Sequence, residues 1–235
     1  MKKKRSRHSR TEYRQPDGYH GRKNDHDRVV RMVQFSILLA IEAIVCFTPL
    51  GSIPIGPLVA TLSHIPVIVA AILLGPGAGA FMGLSFGLFS FLVWTFQLAG
   101  SPVAFLFTPF HTTPDLPHSI WSIVICFVPR ILTGVIAGLI FLGLAKLGDR
   151  DKKKPVAMGI ATFLGTLAHT SMVLGIAYLA FRALVAPQGE GFFLFAVGFV
   201  GWNALLEIAA ALIVTLPVCL AVRTMLEKGR GYSHR

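Results

Sequence analysis

Long apolar runs, broken by short polar or proline-rich segments, occupy most of this chain. A helix needs about 20 apolar residues to cross a bilayer core of about 30 Å. Six runs approach or exceed that length, and they cover residues 30–48, 58–74, 77–98, 120–147, 156–184 and 192–225. The last three are longer than one bilayer thickness, so we expect them to tilt or to extend beyond the lipid. The pattern predicts an all-α membrane protein with six transmembrane helices.

Composition and charge give the predicted bundle an orientation. Of the 235 residues, 54% are hydrophobic and 14% are charged, whereas a soluble domain typically carries about a quarter charged residues. All but two of the 22 Lys and Arg residues lie in the N-terminal tail, in the loop 146–154 or in the C-terminal tail. Basic residues that flank apolar spans stay on the cytoplasmic side. The connections on the predicted outer side, residues 49–57, 99–119 and 186–191, contain no Lys or Arg. We therefore expect an N-in, C-in topology.

The charge map also divides the chain into three regions. Residues 1–28 are rich in Lys, Arg, His, Ser and Asp, and we expect a disordered cytoplasmic tail there. Residues 29–226 form the predicted membrane domain, and residues 227–235 form a cytoplasmic C-terminal tail. The N-terminal tail is not a cleavable signal peptide, because its polar stretch is too long and no cleavage site follows a short apolar core.

The net charge of +11 does not indicate a nucleic-acid partner, because no basic face or nucleic-acid motif accompanies it. Membrane lipids are the expected surroundings of the spans, and anionic lipids are the expected partner of the basic tail.

Two connections on the predicted outer side have a distinctive composition. Residues 49–57 contain three prolines and two glycines, which exclude a helix and favour a segment that packs on the protein. Residues 99–119 contain four prolines together with Phe, His and Asp. Loops of this length are often lids or binding loops. A connector that lies on the lipid headgroups is the alternative, and the sequence does not separate the two.

Three ionisable residues, Glu42, Arg130 and Glu207, lie well inside predicted spans. An Arg in lipid costs roughly 2.5–3.5 kcal/mol on insertion scales, so Arg130 needs a partner, a water-filled cavity or a ligand. One expected partner is a ligand carboxylate, bound through a bidentate, charge-assisted contact in an outward-facing pocket. The other is an internal ion pair with Glu207 or Glu42.

Further polar residues complete the predicted substrate-binding set. Trp202, Asn203 and Glu207 place a ring, an amide and a carboxylate on span six, where Asn203 and Glu207 share a helix face. Such a face is either a pocket wall or a set of hydrogen bonds between helices. His169 lies about halfway along span five and His64 near the outer end of span two, and the same two interpretations apply to both.

Gln97 and Trp94 lie near the outer end of span three. Gln97 joins the predicted substrate-binding set, whereas Trp94 is interpreted as an interface anchor because Trp is common at membrane interfaces.

The histidines and Cys46, Cys126 and Cys219 fit no metal-ligand spacing, so no metal site is expected. No nucleophile–base pair or carboxylate dyad appears on the outer surface, so the chain is not expected to be an enzyme.

Glycines recur every four residues at Gly79, Gly83 and Gly87, which gives span three a smooth face for close helix packing. The run 75–79 is not a phosphate loop, because no Gly-Lys-Ser/Thr follows it.

The strip 48–91 closely resembles the substrate-binding S components of energy-coupling factor (ECF) vitamin transporters. Chain length, six spans and N-in topology agree with that family, and the resemblance covers about residues 30–225. The motifs that carry it are Ile53-Pro54-Ile55-Gly56, Ser63-His64-Ile65-Pro66, Leu74-Gly75-Pro76, Gly83-Leu84-x-x-Gly87 and Pro129-Arg130-Ile131-Leu132-x-Gly134.

The resemblance implies a division of labour in a bacterial cytoplasmic membrane. The S component captures a vitamin from outside, binds no cofactor and hydrolyses no ATP, while a transmembrane coupling subunit and two ATPases energise transport. Small residues on span one usually meet the coupling subunit in this family. The nearest match here is Ser36-x-x-x-Ala40, with Ala43 beyond it.

The resemblance also bears on the ligand. Flavin-specific members usually carry acidic residues before the Ile-Pro of span two, whereas residues 61–66 here read Thr-Leu-Ser-His-Ile-Pro and look more like pantothenate-type members. Riboflavin or another vitamin is the alternative ligand.

Two other function classes stay open. One is a stand-alone transporter in which Glu42 or Glu207 relays protons, although no clear inverted repeat supports it. The other is a membrane structural protein without a small ligand, against which the polar residues at pocket depth argue.

Overall fold

The computed structural model describes residues 18–55, 58–101, 103–110, 119–146, 154–185 and 191–232. Within them lie six helices: α1 Gly18–Phe47, α2 His64–Leu74, α3 Pro76–Leu92, α4 Ile120–Lys146, α5 Lys154–Val185 and α6 Phe192–Tyr232. A two-stranded antiparallel hairpin, β1 Ser52–Ile55 and β2 Leu58–Thr61, stands between α1 and α2. The predicted all-α architecture with six helices is confirmed, and the hairpin is an addition to it.

Helix α1 begins at Gly18, well before the first apolar span. Residues 18–28 of the expected tail are therefore part of α1 in the structure, and residues 1–17 lie outside the described part of the chain. Only three of residues 18–28 are Lys or Arg and most of the others are weak helix formers, so the extension depends on the helix that the apolar span has nucleated. The chain divides into two compact units after Gln34, and the remaining description concerns the second unit.

Five helices contain apolar stretches long enough to cross a membrane, and α2 is the exception. It has eleven residues, about 16 Å of helix, which is roughly half of a bilayer core. The predicted span 58–74 is thus too long as a helix, because its first residues form β2. Val59 and Thr61 are β-branched and favour a strand, while Pro66 is tolerated in the first turn of a helix that begins at His64.

Helix α2 is the centre of the bundle. Every residue from 64 to 72 is buried, and α3, α4, α5 and α6 all pack against it. The main core cluster joins Ile68 of α2 to Phe141 of α4, Met158 of α5 and Ala211 of α6. A helix that is apolar on all sides suits such a central position. A polar side chain on α2 is consequently held inside the bundle, as His64 is.

Glycines bring α3 and α4 into close contact. A Cβ atom at Gly79, Gly83 or Gly87 would collide with atoms of α4, and at Gly83 it would meet the carbonyl oxygen of Arg130. The prediction that these three glycines form a packing face is confirmed. The turn between α2 and α3 depends on Gly75, whose φ of +103° favours glycine.

The base of the hairpin is closed by hydrogen bonds to one carbonyl group. The oxygen of Gly51 accepts from the N–H of Leu62 at 3.3 Å and from the hydroxyl of Ser63 at 3.2 Å. Residues 52–55 are non-helical as predicted, but Pro49–Gly51 form a short 3-10 helix, and residues 56 and 57 lie outside the described ranges. The hairpin is therefore tied to the end of α1 and to the start of α2.

Candidate functional site

Arg130 lies in the interior of α4 and is 2% exposed. The residue before it, Pro129, has no N–H, so the carbonyl of Ile125 one turn earlier lacks its usual helical donor. The Nη1 atom of Arg130 donates to that oxygen at 2.5 Å. The Pro-Arg sequence therefore frees a carbonyl group and supplies its new donor, which fixes the position of the guanidinium.

One edge of the Arg130 guanidinium has little bonding. Among the described residues Nε has no hydrogen-bond partner, and Nη2 reaches only the hydroxyl of Ser90, at 3.5 Å. The Nε–H and Nη2–H groups point the same way and form a fork that fits a carboxylate. A buried donor without a partner destabilises a protein by about 1–3 kcal/mol, and by more if it is charged. An anionic ligand would satisfy this edge.

The internal ion pair, one of the two expected partners of Arg130, does not form among the described residues. Within the part of the chain that the structure describes, neither Glu42 nor Glu207 forms an ion pair with Arg130. The Glu42 carboxyl, also buried, accepts instead from the Cys46 thiol at 3.2 Å. The internal partner expected from the sequence is therefore not the group that compensates Arg130.

Aromatic rings surround the guanidinium. Its central carbon lies 5.3 Å from the ring centroid of Phe86 and 5.0 Å from that of Phe107, within the range of cation–π attraction. Trp94 stacks on Phe107, with centroids 4.8 Å apart. Trp94 is only 5% exposed, so its interpretation as an interface anchor is wrong.

Phe107 belongs to the connection 99–119. In its described part, Ala104 and Thr108 are buried, and the hydroxyl of Ser122 on α4 donates to the carbonyl of Phe105 at 2.6 Å. This part packs into the protein beside Arg130, which favours the binding-loop interpretation over a connector on the headgroups. Residues 111–118, with both histidines of this loop, lie outside the described residues.

His64 of α2 and His169 of α5 stack on each other. Their ring centroids are 5.3 Å apart and the planes differ by 16°. A threonine hydroxyl lies beside each ring: Thr166 Oγ1 is 3.2 Å from Nε2 of His64, and Thr133 Oγ1 is 3.1 Å from Nδ1 of His169. The two rings are buried and oriented by these contacts.

Phe86 connects the histidines to the arginine. Its ring lies 6.0 Å from the ring of His169 as well as beside the guanidinium of Arg130. Three of the residues predicted to bind substrate, Arg130, His169 and His64, therefore belong to one buried cluster contributed by α2, α4 and α5.

Glu207 of α6 is 3% exposed and bonds to protein groups through both carboxylate oxygens. Oε1 accepts from the N–H and the hydroxyl of Thr61, at 2.8 and 2.9 Å. Oε2 accepts from the hydroxyl of Thr170 at 2.9 Å. The carboxylate thus joins β2, α5 and α6.

The remaining predicted residues have different outcomes. Gln97 is exposed at the end of the π-helical turn Val93–Gln97 that extends α3, and it lies outside the buried cluster. The side chains of Trp202 and Asn203 lie outside the described part of the structure, so their roles stay predictions.

Sequence reasoning missed the neutral residues that hold these side chains. The threonine contacts cross between helices, from Thr133 of α4 to His169 of α5 and from Thr166 of α5 to His64 of α2. Spacing along one helix therefore gave no signal for them. The missed residues are Thr61, Phe86, Ser90, Phe107, Thr133, Thr166 and Thr170.

Comparison with known proteins supplies relatives for this fold. The pantothenic acid transporter PanT of Lactococcus lactis subsp. cremoris (strain MG1363) is 34% identical over 167 residues, which are 71% of this chain and 79% of the relative. The solved structure of ThiT from Listeria monocytogenes matches with a TM-score of 0.58 at 20% identity and covers 84% of this chain and 97% of that one. At that identity the second match is a likeness of fold.

The family described as the substrate-specific component of ECF transporters matches residues 30–219. That range includes α2 to α5 in full, most of α1 and of α6, and the buried Arg130 cluster. The predicted resemblance is confirmed, and with it a role in transport rather than in enzymatic catalysis. The chain belongs to the family of ECF transporter substrate-specific components.

Proposed function

We propose that this chain captures pantothenate, or a similar small anionic vitamin, from outside the cell and delivers it to an ATP-driven ECF module. Two findings support the ligand. A relative with 34% identity is named as a pantothenic acid transporter, and the little-bonded edge of Arg130 fits a carboxylate. The observation that carries the proposal is this edge, because it is a charged donor group buried in the bundle.

The cluster matches the chemistry of pantothenate, which carries a carboxylate, an amide and hydroxyl groups. Arg130 binds the carboxylate through Nε and Nη2. His169 and His64 offer ring nitrogens to the hydroxyl and amide groups. Phe107 and Trp94 provide apolar surface beside the guanidinium, and exclusion of water strengthens the charge-assisted bonds.

The energising partners in this proposal are a transmembrane coupling subunit and two ATPases in a bacterial cytoplasmic membrane. The ATPases use ATP, and this chain binds no cofactor. The coupling subunit meets α1 at Ser36, Ala40 and Ala43, of which the first two are exposed and the third is half-buried. Small side chains at these positions let a partner helix approach closely.

The ligand assignment is tested by pairing two ligands with two variants of Arg130. Pantothenate is compared with its alcohol analogue, in which a hydroxymethyl group replaces the carboxylate. In the wild type we expect the acid to bind at least about 30-fold more tightly than the alcohol, as for a buried charge pair of about 2–5 kcal/mol. Arg130→Ala reduces this ratio to near one, and Arg130→Lys leaves an intermediate ratio because Lys lacks the fork. Isothermal titration calorimetry on purified protein measures both affinities.

Arg31→Ala is the matched control, because Arg31 is exposed on α1. It should leave both affinities unchanged. An acid-to-alcohol ratio that stays high in Arg130→Ala would place the carboxylate elsewhere and contradict the anchor role. Tighter binding of riboflavin than of pantothenate would contradict the ligand assignment.

A further inference from the structure

Both carboxylate oxygens of Glu207 accept hydrogen bonds from the protein, whereas Nε of Arg130 has no partner among the described residues. Three donors from the protein occupy its carboxylate, one on Oε2 and two on Oε1, at 2.8–2.9 Å. A buried carboxylate needs such donors to offset the loss of hydration. A group whose two oxygens already bind protein donors is poorly suited to bind a ligand as well.

The negative charge of the proposed ligand also argues against contact between the ligand and Glu207. The proposed ligand is an anion, and a second carboxylate beside it in a low-dielectric site would repel it. Arg130 carries the complementary charge, and its Nε has no hydrogen-bond partner among the described residues. The sequence placed Glu207 among the substrate-binding residues, but its contacts point to a structural task within the site.

The positions of the three donors define that task. Thr61 is the last residue of β2, where it pairs with Ser52 of β1, and it precedes His64 by three residues. Thr170 directly follows His169 on α5. One carboxylate on α6 therefore holds the two chain segments that carry the stacked histidines.

The Glu207 carboxylate also binds the last residue of the hairpin, Thr61. The bonds from Leu62 and Ser63 to the Gly51 carbonyl join the residues that follow β2 to the residue that precedes β1. The bonds from Thr61 to Glu207 attach that base to α6, which packs along β2. The N–H of Thr61 points away from β1 to a side chain of another helix, so its protection depends on that side chain.

We propose that Glu207 is a positioning residue that latches the β1–β2 hairpin to α5 and α6 and aligns the His64–His169 pair, without contact to the ligand. The latch itself is a property of the ligand-free protein. Only its effect on vitamin affinity rests on the proposed function.

Amide hydrogen exchange of the ligand-free protein tests the latch directly. Glu207→Ala removes the acceptor of the Thr61 N–H, and we expect exchange of peptides over residues 58–65 to accelerate about tenfold or more. Glu207→Gln should stay within about threefold of the wild type, since its amide oxygen still accepts from Thr61 and its NH2 donates to the Thr170 hydroxyl. Thr170→Val, which removes one bond and keeps the side-chain volume, should give an intermediate acceleration.

Thr162→Val is the matched control on the same helix. Thr162 is buried, and its hydroxyl bonds to the Met158 carbonyl of α5 itself at 2.8 Å. Hairpin exchange in this variant should equal that of the wild type. If Glu207→Ala does not fold, Thr170→Val and Glu207→Gln decide the question. Wild-type exchange in Thr170→Val, or an acceleration in Glu207→Gln as large as in Glu207→Ala, would overturn the proposal.

Pantothenate affinity provides the second readout. A positioning role predicts that Glu207→Gln binds within about threefold of the wild type, so the conservative variant rescues what Ala loses. A loss of about 30-fold or more in Glu207→Gln, with hairpin exchange unchanged, would assign the carboxylate to the ligand and overturn the proposal. If the wild type binds no pantothenate, the exchange result still stands, so failure of the proposed function is distinguished from failure of the latch.

Discussion

Pro129 and Arg130 illustrate how the backbone of one residue places the side chain of the next. The proline leaves the Ile125 carbonyl free, and the guanidinium binds it at 2.5 Å. In Pro129→Ala the new N–H donates to that carbonyl and competes with Arg130. We expect an unchanged or higher unfolding temperature, since an interior proline disfavours a helix, together with about tenfold weaker pantothenate binding. Thermal unfolding and titration calorimetry of one preparation measure the two effects.

The control for this prediction is the proline inside α6. Pro217→Ala also restores a helical N–H, but Pro217 is exposed and is not among the residues that contact the guanidinium. It should change stability in the same direction and leave affinity unaltered. Equal losses of affinity in the two variants would mean that general straightening of helices, rather than the placement of Arg130, weakens binding.

At the same scale, the sequence identified the charged residues of the site but not their partners. Arg130 was singled out because an arginine in an apolar span is costly. Its depth suggested Glu207 as a partner, yet depth from helical rise gives no direction around the helix axis. The structure directs Glu207 to Thr61 and Thr170 instead. Threonines are too common in membrane spans for their hydroxyls to have been assigned from sequence.

At the scale of elements, the α3–α4 interface depends on the absence of side-chain atoms. A Cβ at Gly83 would collide with the backbone carbonyl of Arg130, which cannot move without shifting α4. We expect Gly83→Ala to destabilise the protein by about 1–3 kcal/mol, as overpacking does. Because the displaced carbonyl belongs to Arg130 itself, pantothenate affinity should fall too. Thermal unfolding in detergent and titration calorimetry check both expectations.

Gly77→Ala is the control on the same helix. Nothing lies within 4 Å of a Cβ built at Gly77, so the substitution adds no clash, and alanine is the better helix former. Its unfolding temperature should equal or exceed that of the wild type. A loss of stability in Gly77→Ala that matches the loss in Gly83→Ala would mean that the clash with α4 is not its cause.

The elements also mark where the apolar pattern stops being informative. Five of the predicted spans contain long apolar helices, because a bilayer needs both length and hydropathy. The run 58–74 contains the strand β2, which the sequence did not predict, because an apolar stretch without alternation fits a strand as well as a helix. Trp94 was misassigned for a related reason: hydropathy places a residue along a helix axis but does not distinguish the lipid side from the bundle side.

The packing of the bundle is read from the structure, whereas its orientation in the membrane is read from the charges in the sequence. The structure supplies the packing of α3, α4, α5 and α6 around α2 and the cluster at Arg130. The sequence supplies direction, since the basic residues lie in both tails and in the loop 146–154. Six spans would place both tails on the same side as that loop. The N-in, C-in topology stays a prediction, and it decides whether the Arg130 cluster opens to the outside.

Single cysteines at the two ends of the bundle test that orientation. Gly100 follows the π-helical turn in the predicted outer connection, and Lys146 ends α4 at the predicted cytoplasmic loop, and both are exposed. We expect a membrane-impermeant maleimide to label Gly100→Cys on intact cells and Lys146→Cys only after permeabilisation, because basic flanks are retained in the cytoplasm. The wild type serves as the blank, since Cys46, Cys126 and Cys219 are all buried. The reverse labelling pattern would turn the bundle over and place the hairpin and the Phe107 segment on the cytoplasmic side, where they could not receive a ligand from outside.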